Sequence, residues 1–151
     1  MAAEAVIRKA VAADLAAINT ITQAAYEIYV ARMGMRPEPM DLDISGQVAA
    51  GDVYVLEEGG DIPGYIVTYP QDGAQLIENV AVAPEFQGQG YGDRLMQFAE
   101  GEAVRNSLDR LFLYTNVQMT ENLEYYPRLG YKEYKRALLK GFERVFFEKR
   151  L

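Results

Sequence analysis

LIENVAVAPEFQGQGYG, residues Leu76–Gly92, is the stretch from which the rest of the chain is read. Its first seven residues, Leu76 to Val82, are apolar and β-branched enough for a buried strand. Pro84 has no N–H to donate to a ladder, so strand pairing is expected to end there. Gln87-Gly88-Gln89-Gly90-Tyr91-Gly92 then sets a glycine at every second position. Glycine tolerates positive φ and has no Cβ, so successive backbone N–H groups can turn toward one point. Asp93 to Arg105 has a helical pattern, which puts that point at a helix N-terminus, where unpaired N–H groups and the helix dipole favour a phosphate. The alternative for the glycines alone is a structural turn in the left-handed region.

Working outward, Val53–Glu57 is expected to be a strand, Glu58-Gly59-Gly60-Asp61 a hairpin turn, and Gly64–Tyr69 the returning strand. Gln71-Asp72-Gly73 turns the chain into the strand at Leu76, so a three-strand antiparallel meander delivers the glycine loop. Beyond it, a helix to about Asn106 buries Leu95, Phe98, Ala99 and Ala103, and Leu111–Thr115 suits a central parallel strand. Strand, crossover helix and strand then make a right-handed unit, with a ligand expected at the open carboxyl ends. Met119–Leu129 is expected to be a short helical segment interrupted at Pro127, and Tyr131–Leu138 and Phe142–Lys149 two closing strands.

Toward the N-terminus, Val6–Ala10 reads as a short strand and Asp14 as the cap of a helix. Leu15, Ile18, Thr22, Ala25, Ile28 and Tyr29 fall on one face of that helix, with Tyr26 and Tyr29 placed either for the core or for a pocket. Residues 31–46 break the pattern through Pro37 and Pro39, with adaptable Met33, Met35 and Met40, before a second helix from about Leu42 to Ala50. So long a connection is either functional or an ordinary connector over the core.

With 151 residues and half of them hydrophobic, the chain suits one domain spanning 1–151 with one core. A net charge of −7 argues against nucleic acid or an anionic membrane as the main partner. There is no cysteine and no histidine, so thiolate nucleophiles, Ser-His-Asp chemistry and His-ligated zinc are excluded, and no metal site is expected. Acid–base work falls to carboxylates, Tyr, Lys, termini or water. No run approaches the ~18 apolar residues of a membrane span and the start lacks a signal-like apolar region, so a soluble cytoplasmic protein is the expectation.

Two phosphate motifs fail: Gly92 is followed by Asp93-Arg94 rather than Lys-Ser/Thr, and a dinucleotide fingerprint would need glycine where Asp93 stands. Gln87-x-x-Gly90-x-Gly92, after a strand and before a helix, instead resembles the acetyl-CoA pyrophosphate loop of the GNAT N-acetyltransferase superfamily. A second stretch, TNVQMTENLEYYPRLGY from Thr115 to Tyr131, resembles the segment with which that family closes its acyl-CoA site, and the element order is similar over essentially the whole chain. The resemblance implies an α/β (α+β) fold: a mixed, mostly antiparallel sheet of about six to seven strands flanked by helices, with a parallel strand pair at the acyl-CoA site. It implies an acetyltransferase that moves an acetyl group from acetyl-CoA directly to a primary amine of a small molecule or peptide. Many relatives carry Asn where this chain has Met119, so either Asn122, one helical turn before Tyr126, holds the pantetheine arm instead or that contact is lost.

The resemblance also distributes the roles. The backbone from Gln87 through Gly88, Gln89, Gly90, Tyr91 and Gly92 to Asp93 would hold the pyrophosphate, with the Gln87 side chain as an added donor. Backbone N–H groups of the Val80-Ala81-Val82 segment would polarise the thioester where the strand splays from its neighbour. Tyr126 matches the usual general acid for the departing thiol. Glu78, ionisable in an apolar strand, is the best candidate base through water, the alternative being an outward, solvated side chain. Glu38, Asp41 and Asp43 would either attract a cationic acceptor or form solvated surface. The competing reading is a non-catalytic acyl-CoA binding or sensing module on the same fold; a purely structural interaction domain is the third. Dimerisation is common on this fold by resemblance, and a homodimer stays open.

Overall fold

The computed structural model describes residues 4–151. Its elements run β1 (Val6–Lys9), α1 (Leu15–Met33), α2 (Ser45–Ala50), β2 (Val53–Glu58), β3 (Asp61–Gln71), β4 (Ala74–Val82), α3 (Tyr91–Arg105), β5 (Arg110–Asn116), α4 (Thr120–Arg128), β6 (Lys132–Leu139) and β7 (Phe142–Arg150). The strands form one seven-stranded sheet in the order β1-β2-β3-β4-β5-β7-β6. Neighbours are antiparallel except β4 and β5, the parallel pair expected from the sequence.

Alternation along the strands sends successive side chains to opposite faces, so the sheet carries a core on each side. On β3, Ile66 faces Leu95, Met96, Ala99 and Ala103 of α3, together with Tyr126 of α4. Its neighbours Tyr65 and Val67 face Ile18 and Ile21 of α1 and Val48 of α2. Helix α1 ends where Gly34 takes φ 69° and its N–H bonds the Val30 carbonyl at 3.0 Å. Ile18, Thr22 and Tyr29 are buried as expected, but Ile28 is 61% exposed and Ile21 is buried instead. At ~100° per residue Ile28 lies about 80° round from the line through Ile18, which turns it out of the core.

Three local expectations are corrected. Asp14 does not cap α1: its carboxylate accepts the Val11 N–H at 2.8 Å and two bonds from Arg8 at 2.8 and 3.0 Å. Helix α2 starts at Ser45, not Leu42, because Asp43 Oδ1 accepts the Ser45 N–H and holds a turn there. Pro127 does not interrupt α4. It sits in the last turn, where the loss of its N–H costs one bond, and the end is closed by Tyr131 N–H and Leu129 N–H on the Tyr126 carbonyl, with Gly130 at φ 95°.

The Arg8 hydrogen bonds hold the buried Asp14 below the ordinary carboxylate range, against the opposing effect of burial. A depressed folded-state value means stability that is present above the unfolded value of ~3.9 and lost as pH falls through the lowered one. Asp14→Asn is therefore expected to destabilise the fold at neutral pH by about 1 kcal/mol, because Asp14 is buried while its partners Arg8 and Val11 keep access to water. Denaturant titrations of the two proteins should converge as pH falls below the ordinary carboxylate range, and parallel curves would refute the assignment.

Gly64 on β3 lies between Leu56 and Val82. A Cβ there would sit 2.6 Å from the Ala81 carbonyl oxygen and 3.2 Å from Leu95 and Val82 side-chain carbons. Backbone cannot yield cheaply, so Gly64→Ala is expected to cost about 2–3 kcal/mol. A lower urea midpoint at unchanged slope is the readout.

Candidate active site

The site begins where the parallel pair comes apart. β4 and β5 are in register only from Gln75–Ile77 against Leu111–Leu113. Glu78–Val82 of β4 and Tyr114–Asn116 of β5 continue past the pairing, while their outer edges stay bonded to β3 and β7. Ala83 N–H donates to the Pro63 carbonyl at 2.8 Å, and alternation then turns the N–H groups of Val80 and Val82 toward the open wedge. The β3–β4 register skips one residue between Thr68↔Ile77 and Val67↔Asn79, so Glu78 is the extra residue of a β-bulge. A bulge re-aims side chains, and here it sends both Glu78 and Asn79 to the α1–α2 side.

Below the wedge, the chain after β4 makes one tight turn at Pro84–Phe86 and enters the glycine loop. Gly88 and Gly90 take φ 80° and 87°, a region that L side chains rarely adopt. The first bond of α3 runs from Arg94 N–H to the Gly90 carbonyl, which leaves the N–H groups of Tyr91, Gly92 and Asp93 without helical partners at the positive end of a 15-residue helix. The Gln87 amide is engaged elsewhere: it donates to the Val82 carbonyl at 3.0 Å and ties the loop to the end of β4. Gln89 likewise turns back to the Glu85 carbonyl. Asp93 accepts the Tyr125 hydroxyl at 2.7 Å, and the Tyr91 hydroxyl donates to Glu58, also at 2.7 Å. These contacts hold the loop against α4 and β2 and leave its backbone donors outward.

A groove of about 570 Å³ runs from this loop between α1 and α4, lined among others by Val80, Val82, Gly88, Gly90, Tyr125 and Tyr126. A second cavity, of about 70 Å³, lies on the α1–α2 side of the wedge, with Glu78, Asn79, Tyr114 and Asn116 in its wall. Tyr26, Val80, Asn122 and Tyr126 line both. The groove and the cavity therefore meet at those four residues, beside the open edge of β4.

Around that junction the polar groups are fixed. Tyr126 is 6% exposed and packs on Tyr125, Tyr131 and Phe147 with ring centroids 5.3–6.1 Å apart. Burial, with Tyr29 nearby, pushes its hydroxyl above the ordinary tyrosine range, so it is neutral and a proton donor at working pH. Asn122 donates to Thr115 Oγ1 at 3.0 Å and approaches the Met119 sulfur, which fills the space below it. Glu78 accepts from Gln47 and from the Tyr69 hydroxyl, the latter at 3.2 Å. Burial and the Glu78 charge push Tyr69 up, which keeps it a donor. Asn79 accepts from Tyr26 and donates to the Tyr65 hydroxyl at 2.7 Å. Thr22 spends its one hydrogen on the Ile18 carbonyl, so Tyr65 donates to Thr22; burial pushes Tyr65 up to about 12. Outside the junction, Arg32 bonds both oxygens of Glu121 at 2.8 and 2.9 Å, holding that carboxylate down to about 2 and fixing α4 against α1.

A family model for the GNAT acetyltransferase domain matches residues 49–133, more than half of the chain. The chain belongs to that family. This GNAT chain is also similar in fold to PaiA N-acetyltransferase from Thermoplasma acidophilum in complex with coenzyme A, at a TM-score of 0.79 and 16% identity over 98% of this chain and 99% of that one. It is similar to the ribosomal-protein-S18-alanine N-acetyltransferase of Escherichia coli, with a TM-score of 0.70 and 17% identity over 97% and 94% of the two chains. A third likeness is to N-acetylglutamate synthase from Neisseria gonorrhoeae complexed with coenzyme A and N-acetyl-glutamate, with a TM-score of 0.74 and 20% identity over 99% of this chain but 35% of that one. At these identities the likeness is one of fold.

The residues singled out in the GNAT sequence thus divide by position. Val80, Val82, Gly88, Gly90, Asn122 and Tyr126 lie along one continuous path, and Glu78 opens on it from the cavity side. The Gln87 and Gln89 side chains are occupied with backbone carbonyls. Among the acids of the 37–46 loop, Asp41 pairs with Arg36, and Glu38 bonds Lys140 at 3.1 Å and Arg144 at 2.5 Å. Glu38 is thus neither solvated surface nor a free lure for a cation. Sequence reading missed Asn79, Gln47 and Arg144; two adjacent polar residues in an apolar strand, Glu78-Asn79, were the available signal for the bulge.

Proposed function

We propose that this protein is an acetyl-CoA-dependent N-acetyltransferase that acetylates a primary amine by direct transfer within a ternary complex. The observation that carries this reading is the junction of the loop-headed groove with a separate cavity at Tyr126 and the open edge of β4. Two compartments that share one short wall suit two substrates that react with each other.

The residues present fit the donor. Free N–H groups at the head of α3 suit its pyrophosphate, and the groove suits an extended arm that Asn122 can meet. Acetyl-CoA supplies a thioester; the amine nitrogen forms the new C–N bond as the C–S bond breaks. The Val80 N–H, turned into the wedge, serves as a donor to the carbonyl oxygen as charge develops on it. Glu78 takes the proton that an ammonium must lose before it can attack, through water. The second proton leaves the nitrogen during transfer, and Tyr126 supplies one to the departing sulfur. One proton is released overall for each thiol formed.

Calorimetric titration of the wild-type protein with acetyl-CoA and with CoA, followed by thiol release from acetyl-CoA across a panel of amines, tests the proposal. Tight binding with acceptor-dependent thiol release supports it. Tight binding with no turnover on any amine favours a sensing module, and no binding at all removes both.

A further inference from the structure

The cavity beyond Tyr126 carries charges of both signs in its wall. Three charged residues line it: Glu78 on β4, Glu38 on the 37–44 connection and Arg144 on β7. Arg144 is 7% exposed. Its Nη2 donates to Glu38 at 2.5 Å, and its guanidinium carbon lies 5.2 Å from the Tyr114 ring centre and 4.9 Å from that of Phe142. Its Nε is buried and, among the described residues, has no hydrogen-bond partner. A buried guanidinium with an unused N–H is costly unless something answers it, and Nε–H with the neighbouring Nη–H makes the fork that a carboxylate fits side-on.

Charge supports the same assignment. Lys140 also donates to Glu38, so two cations share one carboxylate and this end keeps a net positive charge. Glu78, on the β4 side of the cavity, accepts from two neutral donors, Gln47 and Tyr69, and among the described residues has no cation bonded to it. Glu78, Tyr114 and Arg144 stand on the successive strands β4, β5 and β7, with Asn116 opposite Arg144 in the register. A volume of about 70 Å³ suits a small molecule rather than a polypeptide.

We infer that the acceptor is a small zwitterionic amine, an amino acid in the broad sense, with its carboxylate on Arg144 and its amine beside Glu78 at the junction. This rests on the acetyltransferase reading above and adds the class of acceptor. Glu38 then acts as a placeholder that neutralises Arg144 until a substrate carboxylate shares the fork.

The test compares glycine, alanine, β-alanine and 4-aminobutyrate, each against its own carboxamide, at saturating acetyl-CoA with thiol release as the readout. At least one acid is expected to exceed its carboxamide by about tenfold or more in kcat/KM. Arg144→Gln should bring that ratio to about one, chiefly through KM, with acetyl-CoA binding retained. Because Arg144→Gln leaves Glu38 with Lys140 as its one remaining cation and can impair folding, Glu38→Gln provides the second arm: freeing Arg144 should lower KM for the acid and leave KM for the carboxamide little changed. Carboxamides turned over as well as or better than the acids would overturn the inference and leave acetyl transfer standing. Acetyl-CoA bound with no acceptor turned over would overturn both.

Discussion

Tyr126→Phe is expected to lower kcat by about 10²–10³-fold, within the range for loss of a positioned proton donor. The acetyl-CoA dissociation constant should stay within about twofold, because the pyrophosphate and the charged hydroxyl partners of the loop lie elsewhere and the ring is retained. The ring is packed by Tyr125, Tyr131 and Phe147, so phenylalanine keeps the shape and removes one oxygen that opens on the junction. The raised hydroxyl in the free protein also predicts that no alkaline loss of kcat arises from Tyr126 within the ordinary tyrosine range. Single-turnover measurement separates chemistry from product release. A variant with wild-type chemistry would return Tyr126 to a packing role and shift proton donation to water.

Gly90→Glu is expected to weaken acetyl-CoA by at least about 10²-fold, because it sets a carboxylate against the pyrophosphate where like charges cost several kcal/mol. Gly90 has φ 87°, and a Cβ added there meets none of the described residues within 4 Å. The strain of a non-glycine residue at that φ is about 1–2 kcal/mol and falls on the fold. Gly90→Ala carries the same strain without charge, so calorimetry on both variants separates the two effects. If glutamate binds acetyl-CoA as well as alanine does, the head of α3 is not the pyrophosphate site.

Most of the fold was legible because its signals are short-range. The meander from β2 to β4 follows from apolar runs bounded by Glu58-Gly59-Gly60 and Gln71-Asp72-Gly73. The parallel β4–β5 pair follows from one strand, one crossover helix and one strand of the right lengths. Errors fell where a nearby partner competed. Asp14 had the right residue type for a cap, but Arg8, six residues back, claims its carboxylate. Pro127 had the signature of a break, yet at the last turn there is little helix left to break.

The site was legible in part, for the same reason. The glycine loop and the Tyr126 segment each lie within a few residues of chain, so their spacing carries the chemistry in one dimension. By itself the sequence determined the strand–loop–helix of the glycine segment and the absence of histidine and cysteine, which leaves acid–base work to carboxylates, Tyr, Lys, termini or water. The tertiary structure alone decided what those groups face. A one-residue register skip aims Glu78 and Asn79 together, and α1 brings Tyr26 onto Asn79 from 53 positions away. The Glu38–Arg144 contact spans 106 positions and brings a loop acid and a strand cation into the wall of one cavity. No local propensity encodes such pairs: their partners are chosen by which strands become neighbours in the sheet, and that order is set by burial of both faces at once.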